Sequence, residues 1–327
     1  MRKPGRSIFR LFAGIVACAS LSVFDSSAQS YPVKPIRMIV GFAAGGGTDV
    51  TARMLGQKLT ETLGQPLIVE NRPGAGGALS IERVATSPAD GYTLLMMAAA
   101  GAIQSALRTK LPYDLERDLA PVSLVVIGPL VLVIHPSVPA RNVKELIALA
   151  RSQPGKLSYG SAGIGSSNHL AAELLNLLAK VKTVHVPYRG SGESVVGTAS
   201  GQVDFNLPSL TAARPLLEAG KLRVLAISTG KRSSLMPSLP TINESGLPGY
   251  DRYAWYGVLA PAGAPKDIIG RLNSAIGKVS NTPEMKESFK KEGIEAQTGT
   301  PEQFAALIRA EIEQNIKLVK LSGAKAE

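Results

Sequence analysis

The sequence contains few of the residues that cross-link small folds as disulfides or that commonly bind metals and act in catalysis. It has one cysteine, Cys18, three histidines and one tryptophan in 327 residues, and aromatic residues make up 5% of it. A single cysteine excludes an intramolecular disulfide, so the fold must be stabilised by its core. The three histidines show no metal-ligand spacing, and we therefore predict no metal site.

Motifs of exported hydrolases are also missing. The patterns G-x-S-x-G and H-E-x-x-H do not occur in the sequence. The segment Ser228–Lys231 fits S-x-x-K, but it follows a predicted strand instead of opening a helix, so we interpret the match as chance. An enzyme would need a nucleophile with a base beside it, and no such pair is evident. The sequence therefore predicts a protein without catalytic activity.

The formal net charge is +11. The basic residues are dispersed and few aromatic residues lie among them, which argues against binding to nucleic acid. We interpret the positive net charge as giving the protein a mild attraction for anionic solutes, which requires fewer assumptions than binding to nucleic acid. A solvated basic surface without any partner is the alternative.

The first 28 residues have the pattern of a secretory signal peptide. Four basic residues precede the apolar segment Leu11–Phe24, and small residues at 26–28 offer a cleavage site. The apolar segment is too short to anchor the chain in a bilayer. We therefore expect export and cleavage after Ala28. In the alternative interpretation, Ile15–Cys18 is a bacterial lipoprotein cleavage site, and Cys18 carries a lipid.

Strand-like and helix-like segments alternate along the rest of the chain, which predicts an α/β fold with largely parallel sheets. The predicted strands are Ile36–Phe42, Leu67–Glu70, Thr93–Met97, Val122–Ile134, Lys156–Gly160, Thr183–Pro187, Val203–Leu207, Leu222–Ser228, Trp255–Leu259 and Ile294–Gln297. The predicted helices are Thr48–Leu63, Ala78–Ser87, Val143–Ser152, Ser167–Ala179, Ser194–Ser200, Thr211–Glu218, Lys266–Val279, Pro283–Lys290 and Pro301–Leu321.

Two stretches are predicted to cross between domains. The β-rich run Val122–His135 is interrupted by Gly128 and Pro129, which are unsuited to the middle of a sheet. The stretch Ser245–Tyr256 is rich in glycine and proline. We therefore predict a discontinuous first domain, 29–130 plus 253–327, and a second domain, 131–252, hinged around a cleft.

The loop after the first predicted strand is the strongest candidate for a binding site. Backbone N–H groups at a helix start, together with the helix dipole, bind anions. No lysine follows the glycines, so the phosphate-binding motif fails and a small carboxylate is the predicted anion. Asp49 is interpreted as a loop-fixing or dipole-compensating residue beside the N-cap. An ordinary tight turn is the alternative. The candidate residues are Gly45, Gly46, Gly47, Thr48 and Asp49.

A second loop, Ser158–His169, holds the equivalent place in the second domain, and its hydroxyls and glycines are suited to oxygen ligands. Two such loops predict a ligand with a negative or polar group at each end. A base role for His169 is less favoured than hydrogen bonding to its neighbouring backbone. A further glycine-rich stretch, Glu70–Gly77, is interpreted as allowing close packing of strand and helix. The candidate residues of the second loop are Ser161, Gly163, Ser166, Ser167 and His169.

In this order along the chain, the motifs resemble those of the Bug proteins of Gram-negative bacteria, which are the substrate-binding proteins of tripartite tricarboxylate transporters. The resemblance rests on Ala44–Gly46 with Asp49, Asn71–Gly77, Pro88–Leu94, Tyr159–Ser161 with Gly165 and His169, Val186–Gly190, Gly201–Asp204, Pro240–Thr241 with Glu244–Gly246, Trp255 and Ala260–Gly263.

The resemblance implies a two-lobed periplasmic binding protein (type II-like) without cofactor or catalysis, and we expect the protein to be a monomer. One ligand carboxylate would be held by amides of the first loop, and the other end by second-lobe residues and bridging waters, with Asn206 as a possible polar contact. The partner would be a membrane transporter or a sensor protein. Ala98–Gly101 stands where relatives often offer hydroxyls, which favours a bulkier or more apolar ligand body.

Three functions therefore follow from the sequence. The leading one is periplasmic capture of a small organic carboxylate or dicarboxylate for a tripartite tricarboxylate-type transporter. The second is an exported hydrolase or isomerase acting on a small carboxylate. The third is a surface interaction protein without a ligand, which would leave the two glycine- and serine-rich loops without a purpose.

Overall fold

The structure, a computed structural model, describes residues 31–108 and 110–322. The predicted signal peptide, with Cys18 and the cleavage site after Ala28, lies outside these residues. The remainder of the chain from Pro32 forms one compact unit. Within the described ranges, no helix combines the length and the apolar character needed to cross a membrane.

Strands and helices alternate as the sequence predicts. The strands are β1 (Ile36–Val40), β2 (Leu67–Asn71), β3 (Thr93–Ala98), β4 (Leu119–Pro129), β5 (Val131–Ile134), β6 (Ser158–Ser161), β7 (Val184–Pro187), β8 (Phe205–Asn206), β9 (Arg223–Ile227), β10 (Tyr253–Pro261) and β11 (Glu295–Ala296). The α-helices are α1 (Gly47–Leu63), α2 (Ala78–Ala85), α3 (Ala100–Leu107), α4 (Leu115–Asp118), α5 (Val143–Ser152), α6 (Ser167–Ala179), α7 (Ser191–Ala199), α8 (Leu210–Glu218), α9 (Lys266–Ser280), α10 (Pro283–Lys291) and α11 (Pro301–Ser322).

The strands form two sheets, and each sheet with its helices is called a lobe here. The first lobe has the strand order β11-β4-β10-β3-β1-β2 and carries α1 to α4 and α9 to α11. The second lobe has the order β7-β6-β8-β5-β9 and carries α5 to α8. The predicted α/β class is therefore confirmed.

The expectation of largely parallel sheets is wrong, because both sheets are mixed. In the first lobe β1 runs parallel to β2 and β3, whereas β10 runs antiparallel to β3 and β4. In the second lobe β6 runs parallel to β7 and β8, whereas β5 runs antiparallel to β8 and β9. Strands β4 and β10 carry the chain out of the first lobe and back into it. Since these neighbouring strands run in opposite directions, they must pair antiparallel.

The predicted strand Val122–Ile134 is two strands in different sheets, β4 and β5, separated by Leu130. Ser228, from the S-x-x-K match, joins the two crossings: its Oγ accepts a hydrogen bond from the N–H of Leu130 at 2.8 Å and donates to the carbonyl of Arg252 at 2.6 Å. This structural role agrees with our interpretation of that motif as chance. The domain boundaries near residues 130 and 252 stay a prediction, which these crossings support.

Each lobe has its own apolar core. In the first lobe Trp255 is fully buried, and the ring of Phe304 meets it edge-on with centroids 5.5 Å apart. The second core is built on Val131, Val133 and Ile227. A smaller cluster of Ile103, Leu170 and Leu318 joins α3, α6 and α11, and so packs the two lobes against each other.

Candidate functional site

A cavity lies between the two lobes. Its volume is about 30 Å³, measured as the space that the centre of a water-sized sphere can occupy. Its walls combine backbone at helix starts, hydroxyl groups and apolar side chains. The lining residues are Phe42, Gly46, Gly47, Thr48, Ala98, Leu130, Ala162, Ser167, Asn168, Ser191, Ser209, Ala254 and Tyr256.

The positive ends of four helices meet at this cavity. Helices α1, α6, α7 and α8 begin there, with N-caps at Gly46, Ser166, Gly190 and Ser209. The first N–H groups of a helix have no partner within it, and the dipole adds partial positive charge. Gly46 and Gly190 bring no side-chain cap that would compete for these groups. The arrangement can therefore hold an anion without a lysine or arginine in the wall.

The first loop joins β1 to α1, and the helix begins at Gly47, one residue before the predicted start at Thr48, with Gly46 as its N-cap. The reason is that Gly46 already adopts an extended conformation (φ −86°, ψ 165°), and the first helical bond runs from Val50 N–H to its carbonyl at 3.0 Å. Gly46, Gly47 and Thr48 line the cavity. A side chain at Gly47 would collide with the hydroxyl of Tyr256.

Asp49 lies in the first turn of α1, outside the cavity wall, and its hydrogen bonds hold the loop in place. Its carboxylate accepts hydrogen bonds from the backbone N–H of Gly45 at 3.0 Å, from Arg53 Nε at 3.0 Å and from Asn71 Nδ2 at 2.8 Å. Burial acts to raise the pKa of Asp49, but these hydrogen bonds together outweigh it and hold the pKa below its usual range. An ionised, fully engaged carboxylate fits the predicted loop-fixing role. Gly45, with φ +84°, occupies the left-handed region that favours glycine.

Of the candidates in the second loop, Ser167 lines the cavity. Ser166 caps α6 by accepting the N–H of His169 at 3.3 Å. The hydroxyl of Ser161 lies 2.6 Å from His185 Nε2 and donates to the carbonyl of Gly163 at 3.2 Å. Ser161, Ser166 and Gly163 thus shape the loop, and the structure does not bring them to the cavity wall.

His169 is buried beneath the loop. Its Nδ1 accepts the backbone N–H of Gly165 at 3.1 Å, and its ring stacks on His185 with centroids 4.2 Å apart. Burial and then the neighbouring His185 lower the pKa of His169 to about 3, and burial lowers the pKa of His185 to about 4. The geometry matches the favoured interpretation of His169, hydrogen bonding to its neighbouring backbone, and His169 does not line the cavity.

Asn206 is fully buried, and it is connected to the cavity only indirectly, through Asn168. Asn168 was not among the residues predicted from the sequence. Asn168 Nδ2 donates to Asn206 Oδ1 at 3.2 Å and to Ser191 Oγ at 3.1 Å, and Asn206 Nδ2 donates to Ser194 Oγ at 2.9 Å. This network orients the Asn168 amide at the cavity wall.

Three further wall residues were also missed. Ser191 and Ser209 open α7 and α8, so a search of every helix start at this edge of the sheets would have found them. Tyr256 lies on β10, and no local pattern marks it. Burial raises its pKa to about 12, against the opposing effect of a hydrogen bond with Ser209.

The two lobes touch around the cavity, so the cleft is closed. Gln104 Nε2 of α3 donates to the carbonyl of Ile164 in the second lobe at 2.7 Å. The N–H of Ala43 donates to the carbonyl of Arg189 at 3.4 Å. A side chain at Gly76 would collide with both Gln104 and Ile164. The glycine-rich stretch Glu70–Gly77 therefore does more than pack strand on helix, because it forms part of the contact between the lobes.

Among residues 31–108 and 110–322, no cluster of three or more histidine, cysteine, aspartate or glutamate side chains could hold a metal ion. The wall itself, as described above, contains no carboxylate, histidine, lysine or arginine. Chemically, this site offers hydrogen-bond donors and apolar contacts to a negatively charged ligand.

Comparison with known proteins identifies relatives over nearly the whole chain. The profile of the "Tripartite tricarboxylate transporter family receptor" family matches residues 51–323. Protein BugT of Bordetella pertussis is 38% identical over 320 residues, which cover 97% of this chain and 96% of that protein.

Solved structures of related proteins have the same fold. The structure of R. palustris Rpa4515 with adipate has a TM-score of 0.88 and 34% identity, and the match covers 90% of this chain and 99% of that chain. MatC of Rhodopseudomonas palustris with bound malate has a TM-score of 0.84 and 33% identity, covering 88% of this chain and 100% of that chain. The predicted two-lobed periplasmic binding fold is confirmed. The chain therefore belongs to the tripartite tricarboxylate transporter receptor family, together with the Bug proteins that its motifs resemble.

Proposed function

We propose that the protein captures a small organic carboxylate between its lobes in the periplasm and delivers it to a membrane transporter of the tripartite tricarboxylate type. The observation that carries this proposal is the meeting of four helix N-termini at one cavity between the lobes. Relatives of this chain hold adipate and malate in their solved structures. Family membership supports the transporter as partner, with a sensor protein as the alternative recipient.

In the proposed complex, one carboxylate accepts hydrogen bonds from the N–H groups of Gly46, Gly47 and Thr48. The hydroxyls of Ser167 and Ser191 and the backbone N–H of Asn168, in the first turn of α6, approach it from the second lobe. Charge-assisted hydrogen bonds of this kind are stronger than neutral ones, and here they would act beside the buried backbone of Gly46, Gly47 and Thr48. The ring of Phe42 forms an apolar wall for the body of the ligand.

The alternative of an exported hydrolase or isomerase would need a base within hydrogen-bond reach of a nucleophile. The wall of the cavity offers hydroxyl groups without such a base beside them. His169 is buried and His185 is half-buried; their rings stack with that of Tyr159, and neither histidine lines the cavity. We therefore propose a binding protein without catalytic activity.

Two measurements test the proposal. Native mass spectrometry of protein purified without refolding should find a co-purified organic acid. Thermal unfolding with adipate, malate and related acids should then show stabilisation of about 2.7 kcal/mol at a hundredfold excess over the dissociation constant. Recovery of a chemically changed acid would support the enzyme instead.

The variant Gly46→Val tests the position of the carboxylate. A Cβ at Gly46 would meet Ser191 across the cleft at 3.5 Å, and the two further methyl groups of valine would stand where the carboxylate is proposed to bind. Affinity should fall by at least tenfold, with little loss of fold stability because the loop faces the cleft. Gly270→Val, on the outer face of α9 where a Cβ meets nothing within 4 Å, is the matched control. Unchanged affinity in Gly46→Val would remove the first loop from the proposed site.

A further inference from the structure

The cavity is too small for a whole organic acid. A water molecule needs roughly 10–15 Å³ of such volume, so a cavity of about 30 Å³ holds two or three water-sized groups. This is the room that one carboxylate needs. The body of any longer ligand must therefore lie elsewhere in the closed structure.

A second chamber adjoins the cavity and offers that room. Its volume on the same measure is about 190 Å³, and Phe42 and Ala162 line both spaces. The loop at Gly76 bounds it from the first lobe and Tyr188 from the second. We call this space the arginine chamber, because Arg108 and Arg189 also line it.

The two arginines come from opposite lobes. Arg108, just after α3, donates from Nε to Gln104 Oε1 at 2.8 Å, which leaves both terminal nitrogens for another acceptor. Arg189 is exposed at the rim. The chamber is lined by no aspartate or glutamate. In the described part of the chain, the ion pairs involve neither arginine. The chamber thus presents two guanidinium groups that form no ion pair, although the carboxylate of Glu193 accepts a hydrogen bond from the backbone N–H of Arg189 at 3.2 Å.

The backbone at this chamber is held in an unfavourable conformation. Ala75 has φ +48°, in the left-handed region that residues with a side chain rarely adopt, and it stands between Gly74 and Gly76. Such strain persists where the surroundings impose one shape, and it is common at ligand sites. The wall of the arginine chamber therefore has a defined form.

We propose that the arginine chamber receives the apolar body and the second carboxylate of an elongated dicarboxylate, whose first carboxylate occupies the cavity. Arg108 and Arg189 then determine the preference for a dicarboxylate over a monocarboxylate of equal length. This inference rests on the proposed function and moves the recognition of the distal group away from Ser161 and Ser166. The arginines close over that group from both lobes.

Titration calorimetry with adipate and hexanoate tests the proposal, because these acids share a six-carbon chain and differ by one carboxylate. The wild-type protein should bind adipate at least tenfold more tightly. Arg189→Gln and Arg108→Gln should each weaken adipate binding about tenfold, the effect of one charge-assisted hydrogen bond, and leave hexanoate binding nearly unchanged. Arg83→Gln removes an exposed arginine of α2 outside the chamber and should change neither affinity.

Arg108 also contacts Gln104, which holds the lobes together, so Arg189→Gln is the cleaner variant and Arg108→Lys should restore part of the adipate affinity. Equal affinity of the wild-type protein for the two acids would overturn the proposal, as would an equal loss for both acids in Arg189→Gln. Binding of neither acid to the wild-type protein, nor of any other tested carboxylate, would instead count against the proposed function. The two failures are therefore distinguishable.

Discussion

Asp49 shows how a charged residue can serve an anion site without touching the anion. Its carboxylate is occupied by Gly45, Arg53 and Asn71, so its charge is balanced by groups that face away from the ligand. The loop that it fixes then exposes uncharged N–H groups to the cavity. In the proposed complex, the carboxylate would meet the positive end of α1, and the loop would separate it from the negative charge of Asp49.

We predict that Asp49→Asn lowers ligand affinity only partially, by about three- to tenfold, because the amide keeps one acceptor oxygen for the Gly45 N–H. Asp267→Asn, in the first turn of α9, removes the same charge from a helix start distant from the cavity and should not change affinity. Calorimetric titration measures both variants. Abolished binding in Asp49→Asn would show that the carboxylate does more than fix the loop.

The stacked histidines give a second prediction at the scale of residues. The pKa of His169 is lowered to about 3 and that of His185 to about 4, mainly by burial, whereas an unfolded histidine titrates near 6.5. The unfolded state therefore binds more protons below pH 6.5. Stability should be fully present above that pH and fall as the pH drops towards 4, by up to about 1.4 kcal/mol per histidine for each pH unit.

Urea unfolding at pH 7.0, 6.0 and 5.0 measures this dependence. His185→Gln should flatten the slope between pH 6 and pH 5, even though the variant is less stable at pH 7. A slope that His185→Gln leaves unchanged would assign the acid sensitivity to other groups.

The candidate site is built from the N-termini of four helices, which differ in whether a side chain caps the helix. Ser166 and Ser209 cap their helices with side chains, whereas Gly46 and Gly190 leave their first N–H groups open. The sequence allowed α5 and α6 to be predicted with their bounds, because the caps Asn142 and Ser166 are local signals. Helix α3 was missed because its small residues, Ala99 to Ala102, carry no periodic pattern.

The same distinction explains which part of the site could be predicted. The first loop was identified because strand, glycines and helix follow one another within one segment. Ser191, Ser209 and Tyr256 reach the cavity from three distant segments, and only the tertiary structure brings them together. Ser161 stays a prediction as a ligand contact; in the fold its hydroxyl lies 2.6 Å from His185 Nε2, a long-range pairing that no local pattern signals.

We predict that Ser166→Ala lowers the free energy of unfolding by about 1 kcal/mol and also weakens ligand binding, because α6 presents Ser167 and Asn168 to the cavity. Thr282→Ala removes an equivalent cap from α10, away from the cavity, and should cost similar stability without a change in affinity. Denaturant unfolding and calorimetry on the same samples separate the two effects. Equal affinities in both variants would show that α6 needs no capped start to present its ligand groups.

At the scale of the whole molecule, the closed cleft depends on a few contacts between the lobes. Gln104 is fully buried, and its hydrogen bond to the Ile164 carbonyl can form only when the lobes meet. A ligand that binds both lobes favours this closed arrangement by its differential affinity for it. The paired crossings at β4 and β10 are where a hinge would act.

We therefore expect small-angle scattering to show a smaller radius of gyration with bound ligand than without it. Gln104→Leu should lower ligand affinity and diminish this change, because the closed form then buries the Ile164 carbonyl without its partner. Asn273→Leu also removes a hydrogen-bonding side chain, but within the first lobe, and should leave the ligand-induced change intact. A wild-type radius that is the same with and without ligand would count against lobe closure.

We propose above that backbone amides at the start of α1 hold the ligand carboxylate. The most direct measurement is a nitrogen–proton correlation spectrum of protein labelled with ¹⁵N-glycine, titrated with the acid that gives the largest rise in melting temperature. We predict large downfield proton shifts for the amides of Gly46 and Gly47, with no change for Gly270 and Gly277 on α9. Saturating ligand that leaves the Gly46 and Gly47 resonances in place would contradict it.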